Sequence, residues 1–303
     1  VLAGAMVLSM TACAGNTAET TSAAAKTQET AADTASKAEE TTGAEASESE
    51  TAAKAEGTTY KIGVLQLVQH TALDAANDGF IAALDDAGIA YEVDQQNASG
   101  DQSACQTVAS KFANEKKDLI LAIATPAAQA MVGAVEDTPV LITAVTDPAE
   151  SGLVDTNEKP GANVTGTSDL TPVKEQIDLL KQLVPEAKTV GVLYCSAESN
   201  SKIQADMAKE AIAAAGMESK EYTVSSSNEI QTVVQSMVGA VDAVYAPTDN
   251  VIAAGMATVG MVAGDNNLPV ICGEAGMVQN GGLATYGIDY YQLGYMTGQQ
   301  AVK

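Results

Sequence analysis

The run Lys61-Ile-Gly-Val-Leu-Gln66 and its echo Lys188-Thr-Val-Gly-Val-Leu-Tyr194 constrain this chain more than any other feature. Each reads as a short buried strand with a glycine near its start. Gly191 follows Gly63 by 128 residues, and Pro269 follows Pro139 by 130. Between these markers the same order of elements recurs. In the first half, apolar residues at helical spacing over 73–87 stop at Gly88, where a residue without a β-carbon turns easily. Strand 91–94, helix 103–115, strand 118–124, a helix opening at Pro126 and strand 139–144 follow. In the second half, helix 201–215 stops at Gly216, and strands 243–246 and 268–272 come after it. Strands alternating with helices make βαβ units and a parallel sheet covered on both faces. The expectation is an α/β protein of two doubly wound lobes.

The amino terminus is of another kind. Val1–Met10 is an uncharged apolar run of signal-core length, too short to cross a bilayer as a finished helix. It has no initiator Met or basic start and reads as truncated. Met10-Thr11-Ala12-Cys13 resembles a bacterial lipoprotein cleavage box, which makes Cys13 the expected lipidation site and the cell membrane's extracytoplasmic face the expected location. Residues 14–57 hold nine acids against three lysines and no aromatic or branched aliphatic residue. Such a segment buries too little apolar surface to offset the entropy of ordering it, so it reads as a spacer.

Composition removes several classes of function. A net charge of −24 opposes nucleic-acid binding, because phosphates need Lys and Arg. The cysteines Cys13, Cys105, Cys195 and Cys272 form no C-x-x-C pair and no cluster with histidine, so neither a metal nor a cofactor is expected. Cys105 and Cys272 read as small buried apolar residues. The chain has one histidine, His70, and lacks G-x-S-x-G, H-E-x-x-H and the phosphate-cradling G-x-x-x-x-G-K. An enzyme is not expected. Asn163-Val-Thr165 matches a glycosylation sequon, a chance match beside a bacterial lipoprotein signal. Met256, Met261 and Met277 read as core.

In doubly wound sheets, ligands bind beyond the carboxyl ends of the strands. Polar residues gather at those positions, and the candidate ligand-binding residues come from them. The first half contributes Gln66, His70, Thr125, Ala127, Ala128 and Asp147. The second contributes Ser196, Asn200, Thr248 and Asp249, and the last strand Asp289. Glu198, Asn250, Glu274, Thr146 and Tyr290 stand at neighbouring tips. Pro126 suits the first helical position, which would leave the N–H groups of Ala127 and Ala128, with the Thr125 hydroxyl, to take a carboxylate. Asp249 would pair with an ammonium. Each has a plainer reading beside it: Thr125, Thr248 and Asp249 as helix caps, Asp147 before Pro148 as a turn, Asp289 as a hinge bridge, His70 as a loop hydrogen-bonder.

Six stretches together resemble the bacterial ABC transporter substrate-binding lipoproteins of the tryptophan or aromatic amino-acid type. They are residues 62–80, 118–131, 142–154, 163–194, 245–256 and 281–301, in order and without large gaps. The resemblance implies two Rossmann-like lobes of the type I periplasmic-binding-protein fold with three hinge crossings. Lobe 1 is then expected over 58–168 plus 287–303 and lobe 2 over 169–286. It also implies a monomer that closes on a small molecule, an amino acid, and hands it to an ABC permease with its ATPase. Cys195, and Glu274-Ala275-Gly276, depart from the family pattern, and Lys303 falls inside the expected last helix. A ligand-sensing module for a membrane signalling partner, or a sugar or nucleoside binder of the same fold, would share these features.

Overall fold

The computed structural model describes residues 58–303; the expected signal core, Cys13 and the spacer lie outside them. Two parallel sheets of five strands each form two lobes. The first sheet holds β1 (Tyr60–Gln66), β2 (Tyr91–Asn97), β3 (Leu119–Ile123), β4 (Val140–Val145) and β5 (Val164–Ser168) in the order β2-β1-β3-β4-β5. The second holds β6 (Thr189–Cys195), β7 (Glu218–Val224), β8 (Ala243–Ala246), β9 (Val270–Cys272) and β10 (Ala284–Thr285) in the order β7-β6-β8-β9-β10. Numbered within each lobe, both orders are 2-1-3-4-5. The strand order reverses beside the first strand, which opens a crevice at its carboxyl end.

The central strands are apolar throughout because helices cover both faces. β3 and β4 are buried almost residue for residue, and β1 is buried from Ile62 onward. The helices of the first lobe are α1 (Thr71–Asp86), α2 (Gln102–Glu115) and α3 (Thr125–Val132). Those of the second are α4 (Val173–Leu183), α5 (Ser199–Ala214), α6 (Ile230–Met237), α7 (Asn250–Ala254), α8 (Met256–Asp265) and α9 (Ala275–Gln279). The last helix, α10 (Tyr290–Val302), returns to the first lobe and lies against α1, β4 and β5. Glycines let α1 and α10 approach closely: a β-carbon on Gly79 would strike the Tyr291 carbonyl, and one on Gly294 the Ala76 carbonyl.

Among the described residues the chain passes between the sheets at 169–172 and at 286–289. Three differences from the sequence reading concern edges and surfaces. β5 and β7 were not expected, and each is an edge strand with partly polar, partly exposed residues. Met261 is 53% exposed, whereas Met256 and Met277 are buried as core. Its position on α8 faces away from the cluster that holds the other two.

Candidate ligand site

The lobes meet at their strand tips. His70, the residue before α1, reaches Asn250 of α7, with Nε2 and Oδ1 3.3 Å apart. Gln129 of α3 donates to the Ser199 hydroxyl of α5 at 3.3 Å, and Gln204 of α5 donates to the Thr146 hydroxyl beyond β4 at 3.2 Å. Between these contacts lies an inner cavity. Its lobe 1 wall is His70, Leu73, Ala144 and Thr146; its lobe 2 wall is Asn200, Thr248, Asp249, Asn250, Ala253 and Glu274. Asp169, on the first crossing, and Tyr290, the first residue of α10 directly after the second, close it. The free space is about 10 Å³, room for one water molecule. Seating anything larger than an ammonium group requires its walls to part. An outer cleft of about 400 Å³ adjoins it, sharing Asn250 and bounded by Leu67, Val68, Pro126, Glu198, Val251 and Ala254.

Three carboxylates line the inner cavity, and no Lys or Arg does. Two of the three are occupied by backbone. Asp249 caps α7, accepting from the Ile252 N–H at 2.8 Å, and its other oxygen accepts from the Cys195 N–H at 2.6 Å. Glu274 caps α9, accepting from the N–H groups of Gly276 and Met277. Asp169 differs: Oδ2 accepts from the Tyr290 hydroxyl at 2.7 Å, but Oδ1 has no partner. Burial pushes the carboxyls of Asp169, Asp249 and Glu274 above their ordinary range. For Asp169 the Tyr290 and Thr146 hydroxyls beside it pull the other way. Removing charged groups from water favours their neutral form unless a counter-charge arrives.

Two more atoms on this wall are buried without a hydrogen bond: His70 Nδ1 and Asn200 Oδ1. Asn200 is otherwise engaged, its amide donating to Glu198, Ser201 and the Thr248 carbonyl. Burial holds His70 below its ordinary 6.5, against the pull of Asn250 and Asp74, so its neutral ring dominates at pH 7. Three unpartnered acceptor-capable atoms therefore border one small cavity. A primary ammonium has three N–H donors and no acceptor. Among the described residues no group of three or more His, Cys, Asp and Glu is placed to hold a metal ion.

The model for ABC transporter substrate binding proteins matches residues 61–303. The chain belongs to that family. This substrate-binding protein is 46% identical over 246 residues to a tyrosine-binding protein of Clostridioides difficile (strain R20291), covering 80% of this chain and 71% of the relative. It is 40% identical to the ABC domain in complex with L-Trp from Streptococcus pneumonia, with a TM-score of 0.79 and coverage of 81% and 84% of the two chains. Against the ligand-free, open structure of a substrate binding protein from Clostridium difficile, identity rises to 48% but the TM-score falls to 0.60, with coverage of 80% and 84%. Coverage differs by one percentage point of this chain and identity favours the open structure. The lobes of this protein therefore sit closer to the arrangement of the L-Trp complex.

Of the residues expected at the site, His70, Asn200, Thr248 and Asp249 line the inner cavity. Thr248 donates to Gln204 at 2.8 Å. Gln66 does not reach it; its amide donates to Val68 and to Asp74 on the outer side of α1. Asp147 holds a turn, accepting from the Glu150 N–H and the Asn157 amide. Ser196 is exposed and bonds the Val224 carbonyl. Asp289 caps α10 through the Gln292 N–H, and its neighbour Tyr290 faces the cavity instead. The α3 terminus departs most from expectation. The Ala128 N–H already donates to the Ala124 carbonyl at 3.0 Å, so it is not free for a carboxylate. Neither Thr125 nor Ala127 borders the inner cavity or the outer cleft, where Pro126 is the α3 residue on the wall. Asp169 was missed entirely. Its signal was an acid directly after a β-branched run, Val164-Thr-Gly-Thr-Ser168, that itself went unread as a strand.

Proposed function

We propose that this substrate-binding protein captures an aromatic L-amino acid between its lobes and presents it to an ABC importer, tethered outside the cytoplasm by a lipid on Cys13. The observation that carries the reading is the inner cavity: three buried atoms, Asp169 Oδ1, His70 Nδ1 and Asn200 Oδ1, lack partners beside three acids and no Lys or Arg. A ligand ammonium supplies both the missing donors and the missing positive charge. The outer cleft, at about 400 Å³, has the room for a ring that the inner cavity lacks, and Leu67, Val68, Pro126, Val251 and Ala254 give it apolar walls. Relatives at 46% and 40% identity carry tyrosine-binding and L-Trp-bound descriptions. Each lobe offers half of the contacts, so ligand favours the shut arrangement.

Calorimetry with L-tyrosine, L-tryptophan and L-phenylalanine tests the ligand class. The protein has no Trp, so L-tryptophan is also the sole indole in a fluorescence titration. Saturable one-site binding to at least one of the three is expected, with binding abolished for the analogue lacking the amino group. Equal affinity for that analogue, or no binding by any of the three, refutes the assignment. Cys13→Ala separately tests the tether: the variant should leave the membrane fraction, and retention there removes the lipid from the account.

A further inference from the structure

We propose that Glu198 and Asn250 are positioning residues that fix His70 as its Nε2–H tautomer when the lobes meet, leaving Nδ1 as an acceptor for the ligand ammonium. This rests on the ammonium reading of the inner cavity. It adds a device that spans both lobes.

The argument starts at Glu198 Oε2. That oxygen accepts from the Asn250 backbone N–H at 3.3 Å and from the Asn200 amide at 3.2 Å. Two N–H donors already occupy the lone pairs of Oε2, so a proton on this carboxyl goes to Oε1 and Oε2 stays an acceptor. The Asn250 side chain touches the same oxygen at 2.7 Å and must therefore present Nδ2 to it. That orientation turns Asn250 Oδ1 toward His70 Nε2, 3.3 Å away. An amide oxygen only accepts, so the ring nitrogen facing it carries the hydrogen. The imidazole is neutral because it is buried, and its second nitrogen, Nδ1, is left with a lone pair and no partner. A proton on Glu198 does not break the chain. Burial and the neighbouring Asp249 charge push this carboxyl up to about 8, and among the described residues no group bonds Oε1, the oxygen left to hold that proton.

The chain begins in one lobe and ends in the other. His70 precedes α1, whereas Glu198 and Asn250 sit at the tips of β6 and β8. With the lobes apart, nothing in the chain selects between the tautomers of His70. Closure therefore creates an acceptor at Nδ1 at the moment the ligand is enclosed.

The chain contains a single histidine, so labelling the full protein with 15N-histidine gives one imidazole to observe. Spectra are recorded without ligand and with saturating L-tyrosine or L-tryptophan, alongside calorimetric affinities. The bound protein should show the Nε2–H tautomer, with the Nδ1 resonance moved by hydrogen bonding. Asn250→Ala and Glu198→Ala should give mixed tautomers and roughly tenfold weaker binding, the loss of one hydrogen bond to a charged group. Glu198→Gln, which keeps an acceptor oxygen, should restore the wild-type pattern. This rescue separates positioning from loss of folding. An Nδ1–H ring or an imidazolium in the complex overturns the proposal, as does an unaltered tautomer in Asn250→Ala. Binding without any Nδ1 shift removes the role of His70 while sparing the ligand assignment. No binding by either amino acid refutes the assignment itself, and the role of Nδ1 with it.

Discussion

The two lobes share a frame and differ at the tips. Each begins with a strand whose first N–H groups are held by an acid at the foot of the third strand. Asp118 accepts from Lys61 at 2.7 Å; Asp242 accepts from Lys188 at 2.8 Å and Thr189 at 2.9 Å. The helix after each first strand, α1 or α5, ends at a glycine of positive φ, Gly88 at 66° and Gly216 at 74°. At the ligand end the likeness stops. Lobe 2 presents Glu198, Asp249 and Glu274, all buried. Lobe 1 presents His70, Leu73, Ala144 and Thr146, and its strands β3 and β4 run into left-handed alanines, Ala124 at φ 84° and Ala144 at φ 54°. The frame answers to packing, which both halves solve alike. The tips are free of that constraint, and the acids gather on the lobe 2 wall.

The sharpest test of that division sets the hinge acid against the lobe 2 acid. Asp169→Asn keeps an acceptor for Tyr290 and removes the charge. It should weaken L-tyrosine or L-tryptophan binding by about 3 kcal/mol, on the order of 100-fold, with little change in melting temperature. Asp249→Ala removes a helix cap and strands the Cys195 N–H, so it should cost about 2 kcal/mol of stability instead. Loss of binding in Asp249→Ala at unchanged melting temperature would return the ammonium to Asp249.

The matched glycines test the shared frame. A β-carbon on Gly63 would lie 2.7 Å from the Phe112 ring, whereas one on Gly191 would meet the methyl end of Met237. A buried aromatic ring has nowhere to turn, but a methionine bends aside. Urea unfolding should show Gly63→Ala losing about 2–3 kcal/mol and Gly191→Ala about 1 kcal/mol. Equal losses would mean that lobe 1 repacks as freely as lobe 2.

These contrasts also mark what the sequence could and could not disclose. The frame was legible because it is written in buried runs and turn glycines: Ile62–Gln66, Leu119–Ile123, Gly88, Gly216. β7 was not, since Glu218–Val224 lies on an edge with most side chains in water and carries no clean alternation. His70, Asn200, Thr248 and Asp249 could be placed because strand tips of a doubly wound sheet converge. Asp169 could not, because it lies on a crossing, and only three-dimensional closure brings it beside the Tyr290 hydroxyl at the start of α10. At the α3 terminus a local fact was out of reach: a helix that starts at Thr125 engages the Ala128 N–H within its own first turn.

Glu198 offers a test by pH. Its carboxyl rises from the ordinary 4.5 to about 8 on folding, first through burial and then through Asp249. Between those values the folded protein binds more protons than the unfolded chain, so stability falls as pH rises through this window and is full below it. Glu198→Gln cannot titrate there. Its melting temperature should decline less than the wild type's from pH 5 to pH 8, and parallel curves would place Glu198 in a wetter setting than its 4% exposure indicates.

The smallest effect belongs to a pair of threonines at equivalent tips. Thr248 Oγ1 donates to Gln204 at 2.8 Å; Thr125 Oγ1 is buried and bonds nothing. Replacing a bonded hydroxyl by a methyl costs about 1 kcal/mol, while replacing an unbonded one removes a desolvated group that gave nothing in return. Thr248→Val should therefore lose about 1 kcal/mol of stability. Thr125→Val should stay within about 0.5 kcal/mol of wild type or gain slightly. Thr125 borders neither the inner cavity nor the outer cleft, so affinity for L-tyrosine or L-tryptophan should also hold. A tenfold loss of affinity at unchanged stability would show that the parted lobes turn this hydroxyl toward the ligand carboxylate. Lobe 1 would then grip one end of the amino acid while the hinge grips the other.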